Sequence, residues 1–172
     1  QADVRKLPCR PRSFDVGFSV GVLHHVLDPH EAFRALESRV REGGRVIAWV
    51  YGRENNGWIV NGVNPVRERL TSRLPSSTML SLSRVPAAVV WAASRFFYRP
   101  LSRAPFDLVG SRLFYQSYMN QLADFPFNEI HAIVHDHLTP PIAHYISGEE
   151  FKRWFDEAGL RNVVIGWHNE TS

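Results

Sequence analysis

SFDVGFSVGVLHHVLDPHEAFRALESRVREGGRVIAWVY, residues 13–51, reads as strand, turn, helix, turn, strand. Phe14 to Ser19 is a short apolar run carrying Gly17, which predicts a strand buried on both faces as in a parallel sheet. Asp28-Pro29-His30-Glu31 is a helix start: Asp28 caps, Pro29 suits the first helical position, and Glu31 completes a capping box. Phe33, Leu36 and Val40 then recur at helical spacing, while Arg34, Glu37, Ser38 and Arg41 fall largely on the other side. Gly43-Gly44 is expected to stop the helix by allowing positive φ. Val46 to Tyr51 follows as a second strand rich in β-formers. Two strands joined by such a helix predict a right-handed crossover and a parallel pair.

Working outward, the same logic returns near the C-terminus. Ser147-Gly148-Glu149-Glu150 is a second capping box, and Phe151, Trp154, Phe155 and Ala158 form one apolar helical face ahead of Gly159. Residues 161–167, with Val163, Val164 and Ile165, read as a third strand. Between the two units lies a long insertion, residues 52–146, with helices expected from Asn64 through Leu74, from Ser83 to Phe97 and from Leu113 to Leu122. A structureless stretch of that length is rare in a compact domain, so the insertion reads as a helical subdomain, a substrate cap or lid. The expected class is α/β, with a core over 1–51 and 147–172 interrupted by 52–146.

The 172 residues suffice for a real core, and 44% hydrophobic with 22% charged residues is ordinary for a globular chain. The net charge of +3 comes with scattered arginines and no long basic run, so nucleic acid is not expected as a partner. The single cysteine, Cys9, excludes an intramolecular disulfide and fits a reducing, cytoplasmic setting, where it reads as a loop residue. The most apolar region, Val85 to Tyr98, is broken by Pro86, Ser94 and Arg95 and falls short of the roughly 20 apolar residues of a membrane span.

Ala2-Asp3-Val4 with Leu7-Pro8, then Phe14-Asp15, Ser19-Val20-Gly21, Leu23-His24-His25 and Arg39-Val40-Arg41-Glu42-Gly43-Gly44-Arg45 together resemble the middle of a class I S-adenosylmethionine-dependent methyltransferase, most nearly the small-molecule, quinone-biosynthesis-like group. The resemblance implies a Rossmann-like sheet of which this chain holds the fourth, fifth and sixth strands. It implies that Asp3 accepts from the adenine amino group and the Val4 N–H reaches the ring, a pairing suited to an acceptor-only carboxylate. It places Ser19, Val20 and Gly21 at the methionine end of the cofactor, at the carboxyl edge where open α/β sheets bind ligands. The family's glycine-rich turn and the acidic residue that holds its ribose are not found in the sequence, nor is its last strand. The chain therefore reads as an enzyme truncated at both ends, missing the N-terminal half of the domain, and expected to be inactive and to bind cofactor poorly alone.

His24 and His25 follow a strand end, where a general base or a substrate contact is expected, against a packing and turn-fixing role. His135-Asp136-His137 is expected to be extended, with His135 and His137 on one face as a third candidate base and a substrate contact and Asp136 on the other face, itself a candidate substrate contact; no second cluster completes a metal set, and no metal is expected. Asn55, in the polar turn after the second strand, is a further substrate candidate. Arg84, Arg95, Arg99 and Arg103 beside apolar residues read as a solvated lid face, contact with an anionic membrane surface being the other reading. The aromatic insertion favours a small-molecule or lipid-like methyl acceptor. The rivals are a non-catalytic Rossmann-like interaction module and a different nucleotide-binding α/β enzyme.

Overall fold

The computed structural model describes residues 2–103 and 105–167. In chain order the elements are β1 (Phe14–Val20), α1 (Pro29–Glu37), β2 (Val40–Trp49), α2 (Asn64–Arg69), α3 (Ser76–Leu82), α4 (Arg84–Ala93), the short α5 (Arg99–Leu101) and α6 (Asp107–Gly110), α7 (Gln116–Leu122), α8 (Phe127–Leu138) and α9 (Gly148–Glu157). They form two compact units, one of residues 2–60 and 142–167, the other of residues 61–141. Residues 168–172 of the expected returning segment lie outside the described residues.

In the first unit β1 and β2 pair in parallel, from Gly17 opposite Val46 to Val20 opposite Trp49. The crossover helix α1 starts where the sequence predicts: Asp28 Oδ1 accepts the Glu31 N–H at 2.8 Å. It ends earlier, at Glu37, and β2 begins at Val40. Phe14 pairs with Val40 but Val16 with Arg45, so residues 41–44 bulge opposite Asp15 alone. Gly43-Gly44 thus shapes a bulge rather than the end of the helix. Burial explains the change, since Val40 is 8% exposed and packs against Gly17 and Gly44, and pairing with Phe14 places it there.

Helix α9 begins with Ser147 Oγ accepting the Glu150 N–H at 3.1 Å. Phe33 of α1 meets Phe155 and Trp154 of α9 at ring-centroid distances of 4.7 and 5.8 Å, and His30 stacks on Trp154 while reaching Glu157. Leu23, Ala32, Val50 and Ile146 complete this buried core.

Two expectations fail here. Residues 161–167 form no strand: Val163 and Ile165 pack on the core and Val164 points to solvent, so the alternation survives without a ladder. The place beside the end of β2 is taken instead by Ile146, which bridges Gly52 in parallel. Nor is β1 buried on both faces, because Phe14, Val16, Phe18 and Val20 of one face are exposed, as is Ile47 of β2. Helices α1 and α9 supply apolar cover to one face only.

The second unit is helical. Helices α4 and α8 pack together, and His131 is a core histidine, its Nε2 lying 2.9 Å from both Ser83 Oγ and the Leu80 carbonyl. Thr71 donates to the Leu138 carbonyl at the C-terminal end of α8, where the buried Arg67 also lies beside the His137 carbonyl and compensates the helix dipole. His135, Asp136 and His137 are not extended but sit in the last turns of α8. At about 100° per residue His135 and His137 diverge by about 200°, and His135 faces His131 instead, with ring centroids 6.5 Å apart.

Candidate functional site

Because β1 and β2 are parallel, both carboxyl ends open on one edge of the first unit. Gly21, with φ +73°, turns the chain sharply after β1, and its N–H reaches the Trp49 carbonyl. A side chain here would meet strain, which is why glycine serves. One helical turn, residues 23–25, then drives Leu23 into the core and turns two histidines toward the end of β2.

His24 is fully buried and stacks on Tyr51 at 3.9 Å, which stacks in turn on Tyr145 at 5.4 Å; Trp49 closes the group edge-on. The segment 144–146 ties the two strand ends together, with the His144 N–H donating to the His24 carbonyl and the Ile146 N–H to the Tyr51 carbonyl. Beside this edge a small cleft is lined by Trp49, Gly52, Ile146, Phe151 and Trp167, with no ionisable side chain on its wall.

His25 differs from its neighbour. Its Nδ1 lies 2.8 Å from the Ile142 carbonyl. A carbonyl only accepts, so Nδ1 carries the proton and the Nε2 lone pair is left to take one. This is the arrangement of a general base whose second nitrogen is held by an orienting group. Long-range ¹H–¹⁵N correlation spectra are therefore expected to show neutral His25 as the Nδ1–H tautomer. An Nε2–H pattern at His25 would remove it as a proton acceptor at that atom.

Asp3 caps the turn of residues 4–6, and Val4 packs against the core. The Asp3 carboxylate receives three N–H groups of Arg5: backbone N and Nε at Oδ1 (2.9 and 3.1 Å) and Nη2 at Oδ2 (2.7 Å). Chiefly the Arg5 side chain, then its backbone N–H, holds the acid at about 2 instead of 3.8. A carboxylate offers about four acceptor positions, so three donors leave one at Oδ2 for an exocyclic amine. Arg5 lies in the field of Asp28 and Glu31, so this acid stands near the start of α1, which follows the histidine turn.

Of the remaining candidates, Ser19 is buried and Val20 exposed, as alternation along β1 requires. Asn55 is exposed in left-handed conformation in the turn after β2, where Glu54 receives the Gly148 N–H at the start of α9. His135, Asp136 and His137 belong to the second unit. Among the described residues no three His, Cys, Asp or Glu side chains converge as a metal site. Sequence reasoning passed over Tyr51 and Tyr145. Tyr51 carried a signal in its place at the carboxyl end of β2, whereas Tyr145, 94 positions away, carried none.

Residues 1–48 match the model of the methyltransferase domain family. The matched stretch runs from the Asp3 turn through β1, the histidine turn and α1 to the penultimate residue of β2. It therefore contains Asp3, Val4, Ser19, Val20, Gly21, His24 and His25, and methyl transfer is the reaction class to which this segment points. Nothing matches the chain among curated proteins or among solved structures.

Proposed function

We propose that the first unit carries the adenine and methyl-transfer side of an S-adenosylmethionine-dependent methyltransferase acting on a small-molecule or lipid-like acceptor. The observation that carries the reading is the coincidence of the matched segment with the edge at which β1 and β2 both end. S-adenosylmethionine, when bound, supplies an electrophilic methyl group on a sulfonium sulfur. Asp3 would hold the adenine amine at its remaining acceptor position, and the Val4 N–H would be the donor offered to the ring. Ser19, Val20 and Gly21 offer backbone to the methionine end, where the positive φ of Gly21 keeps side-chain bulk away. His24, locked between Tyr51 and its own turn, positions His25. Nε2 of His25 would take the proton of an oxygen or nitrogen nucleophile as that nucleophile accepts the methyl group. Alignment of the two partners supplies most of the rate. The apolar cleft beside Trp49 and Phe151 suits the hydrocarbon part of an acceptor.

The test is a titration of the ¹⁵N-labelled chain with S-adenosylhomocysteine followed amide by amide. Shifts are expected at residues 3–5 and 19–25, saturating only at high ligand, because the sequence holds no glycine-rich strand-to-helix turn to grip the rest of the cofactor. Asp3→Ala is expected to weaken binding by about tenfold or more, the worth of one charge-assisted hydrogen bond. Shifts confined to residues 61–141, or none, would sink the proposal. Submicromolar affinity in calorimetry would instead overturn the need for the glycine-rich turn.

A further inference from the structure

The second unit carries a charge and an apolar pattern that the methyl-transfer reading does not use. Residues 61–103 contain seven arginines and a single acid, Glu68, although the whole chain is only +3, so the rest of the protein is net negative. The same stretch exposes more large apolar side chains than a solvated face needs. Along α4 and the π-type turn that continues it, Val85, Ala88, Val89, Ala92 and Phe96 recur at i, i+3, i+4, i+7 and i+11. Val85, Val89 and Phe96 are 69%, 65% and 68% exposed, while Ala87 and Ser94 of the opposite side are buried. A shallow apolar groove runs along this stripe between Arg84 and Phe127.

Two of the arginines are built into the rim. Arg84 lies 5.8 Å over the Phe127 ring and Arg95 5.6 Å over Trp91, so each apolar stem covers an aromatic while the guanidinium keeps its charge. Arg69, Arg73 and Arg103 are exposed. Of the seven arginines of this stretch only Arg99 has an acid partner among the described residues, Asp124 at 3.0 Å.

We infer that the α4 face docks on the surface of an anionic phospholipid bilayer, with Val85, Val89 and Phe96 entering the interface and the arginines meeting the headgroups. Charge complementarity selects this occupant. A second copy of the chain would bring the same arginines against themselves. A nucleic acid would leave the aliphatic stripe in water. No helix among the described residues is long and apolar enough to cross a membrane, so the contact is one of lying on the surface. The inference stands on the second unit alone and holds whether or not the methyl-transfer proposal does.

The test is flotation of the full 172-residue chain with two kinds of vesicle, phosphatidylcholine alone and phosphatidylcholine with about 30% phosphatidylglycerol. Binding is expected to the anionic vesicles and to fall sharply at about 0.5 M salt, where the field is screened within a few ångströms. Each arginine near such a surface is worth roughly fivefold, so Arg84→Gln, Arg95→Gln and Arg103→Gln together are expected to weaken partition by about 100-fold. Val85→Ser with Val89→Ser and Phe96→Ser removes binding while circular dichroism stays native, because all three side chains are exposed. Equal binding to both vesicles, unchanged binding by either triple variant, or no flotation overturns the inference. If the wild-type chain is instead a dimer that the apolar triple variant splits, the face is a self-association surface.

Discussion

Replacing Phe33 by alanine is expected to unfold the first unit at a denaturant concentration far below that of the wild type. Phe33 has no exposed surface and its ring sits between the two capped helices, against Phe155 and Trp154. Truncating a buried Phe costs about 3–5 kcal/mol through lost transfer energy and the cavity left behind. A domain of this kind has only about 5–15 kcal/mol in all. The parallel pair β1–β2 cannot make up the loss, because α1 and α9 supply apolar cover to only one of its faces. The measurement is amide hydrogen exchange, residue by residue, in α1, α9 and the 45–49 stretch of β2, where exchange is expected to accelerate by about 10²–10³-fold or more. The control is Val164→Ala, at a side chain 91% exposed, which is expected to change nothing. Slow exchange in Phe33→Ala would mean that the helices are not what holds the sheet.

The same core ties stability to the candidate site. Leu23 anchors the histidine turn in it, Val50 leads into Tyr51, and Ile146 holds the segment that meets both strand ends. The histidine turn and the end of β2 are thus positioned by packing within two residues of them in sequence. Loosening Phe33 is expected to disorder the His24–Tyr51 stack before it touches any residue of the site directly.

What the sequence made legible was local. Asp28 and Ser147 name their helix starts because a cap needs only a side-chain oxygen and an N–H three residues on. The strand–helix–strand order of residues 13–51 is legible for the same reason, through a short apolar run, a capped helix with apolar residues at helical spacing, and a second run rich in β-formers. Long-range pairing was not legible. Val163 to Ile165 alternate in burial as a strand does, but a strand needs a neighbour, and the bridge made past the end of β2 is that of Ile146 to Gly52. The His135-Asp136-His137 run follows apolar residues that fit either period; Ile130, His131 and Val134 on one helical face resolve it as helix. The bond between His25 and the Ile142 carbonyl spans 117 positions, and it separates the roles of two histidines that are indistinguishable as letters.

The bulge opposite Asp15 gives the second large expected effect. A Cβ on Gly44 would lie 2.5 Å from Val40 Cγ1, 2.7 Å from the Asp15 carbonyl oxygen and 2.9 Å from that of Arg41. Two of these neighbours are backbone, one in β1 and one in the bulge itself, and cannot swing aside as a side chain can. Gly44→Val is therefore expected to cost about 3 kcal/mol or more, as overpacking beside fixed backbone does. Gly43 is the internal comparison. It has φ +76° and open space around it, so Gly43→Asn, which tolerates the left-handed region, is expected to cost under about 1 kcal/mol. The difference between these neighbours separates a bulge from a helix stop, since a helix-ending glycine pair would put the larger penalty on the position of positive φ. The bulge also fixes the register that sets Gly17 opposite Val46 and carries β1 and β2 to a common end. A Gly44→Val chain that folds by slipping the register would move Gly21 and His24 relative to Trp49 and Tyr51. Its spectrum is then expected to lose the ring-current shifts of the His24–Tyr51 stack while α1 and α9 remain protected. Retention of the wild-type stack with little loss of stability would show that the bulge does not set the register.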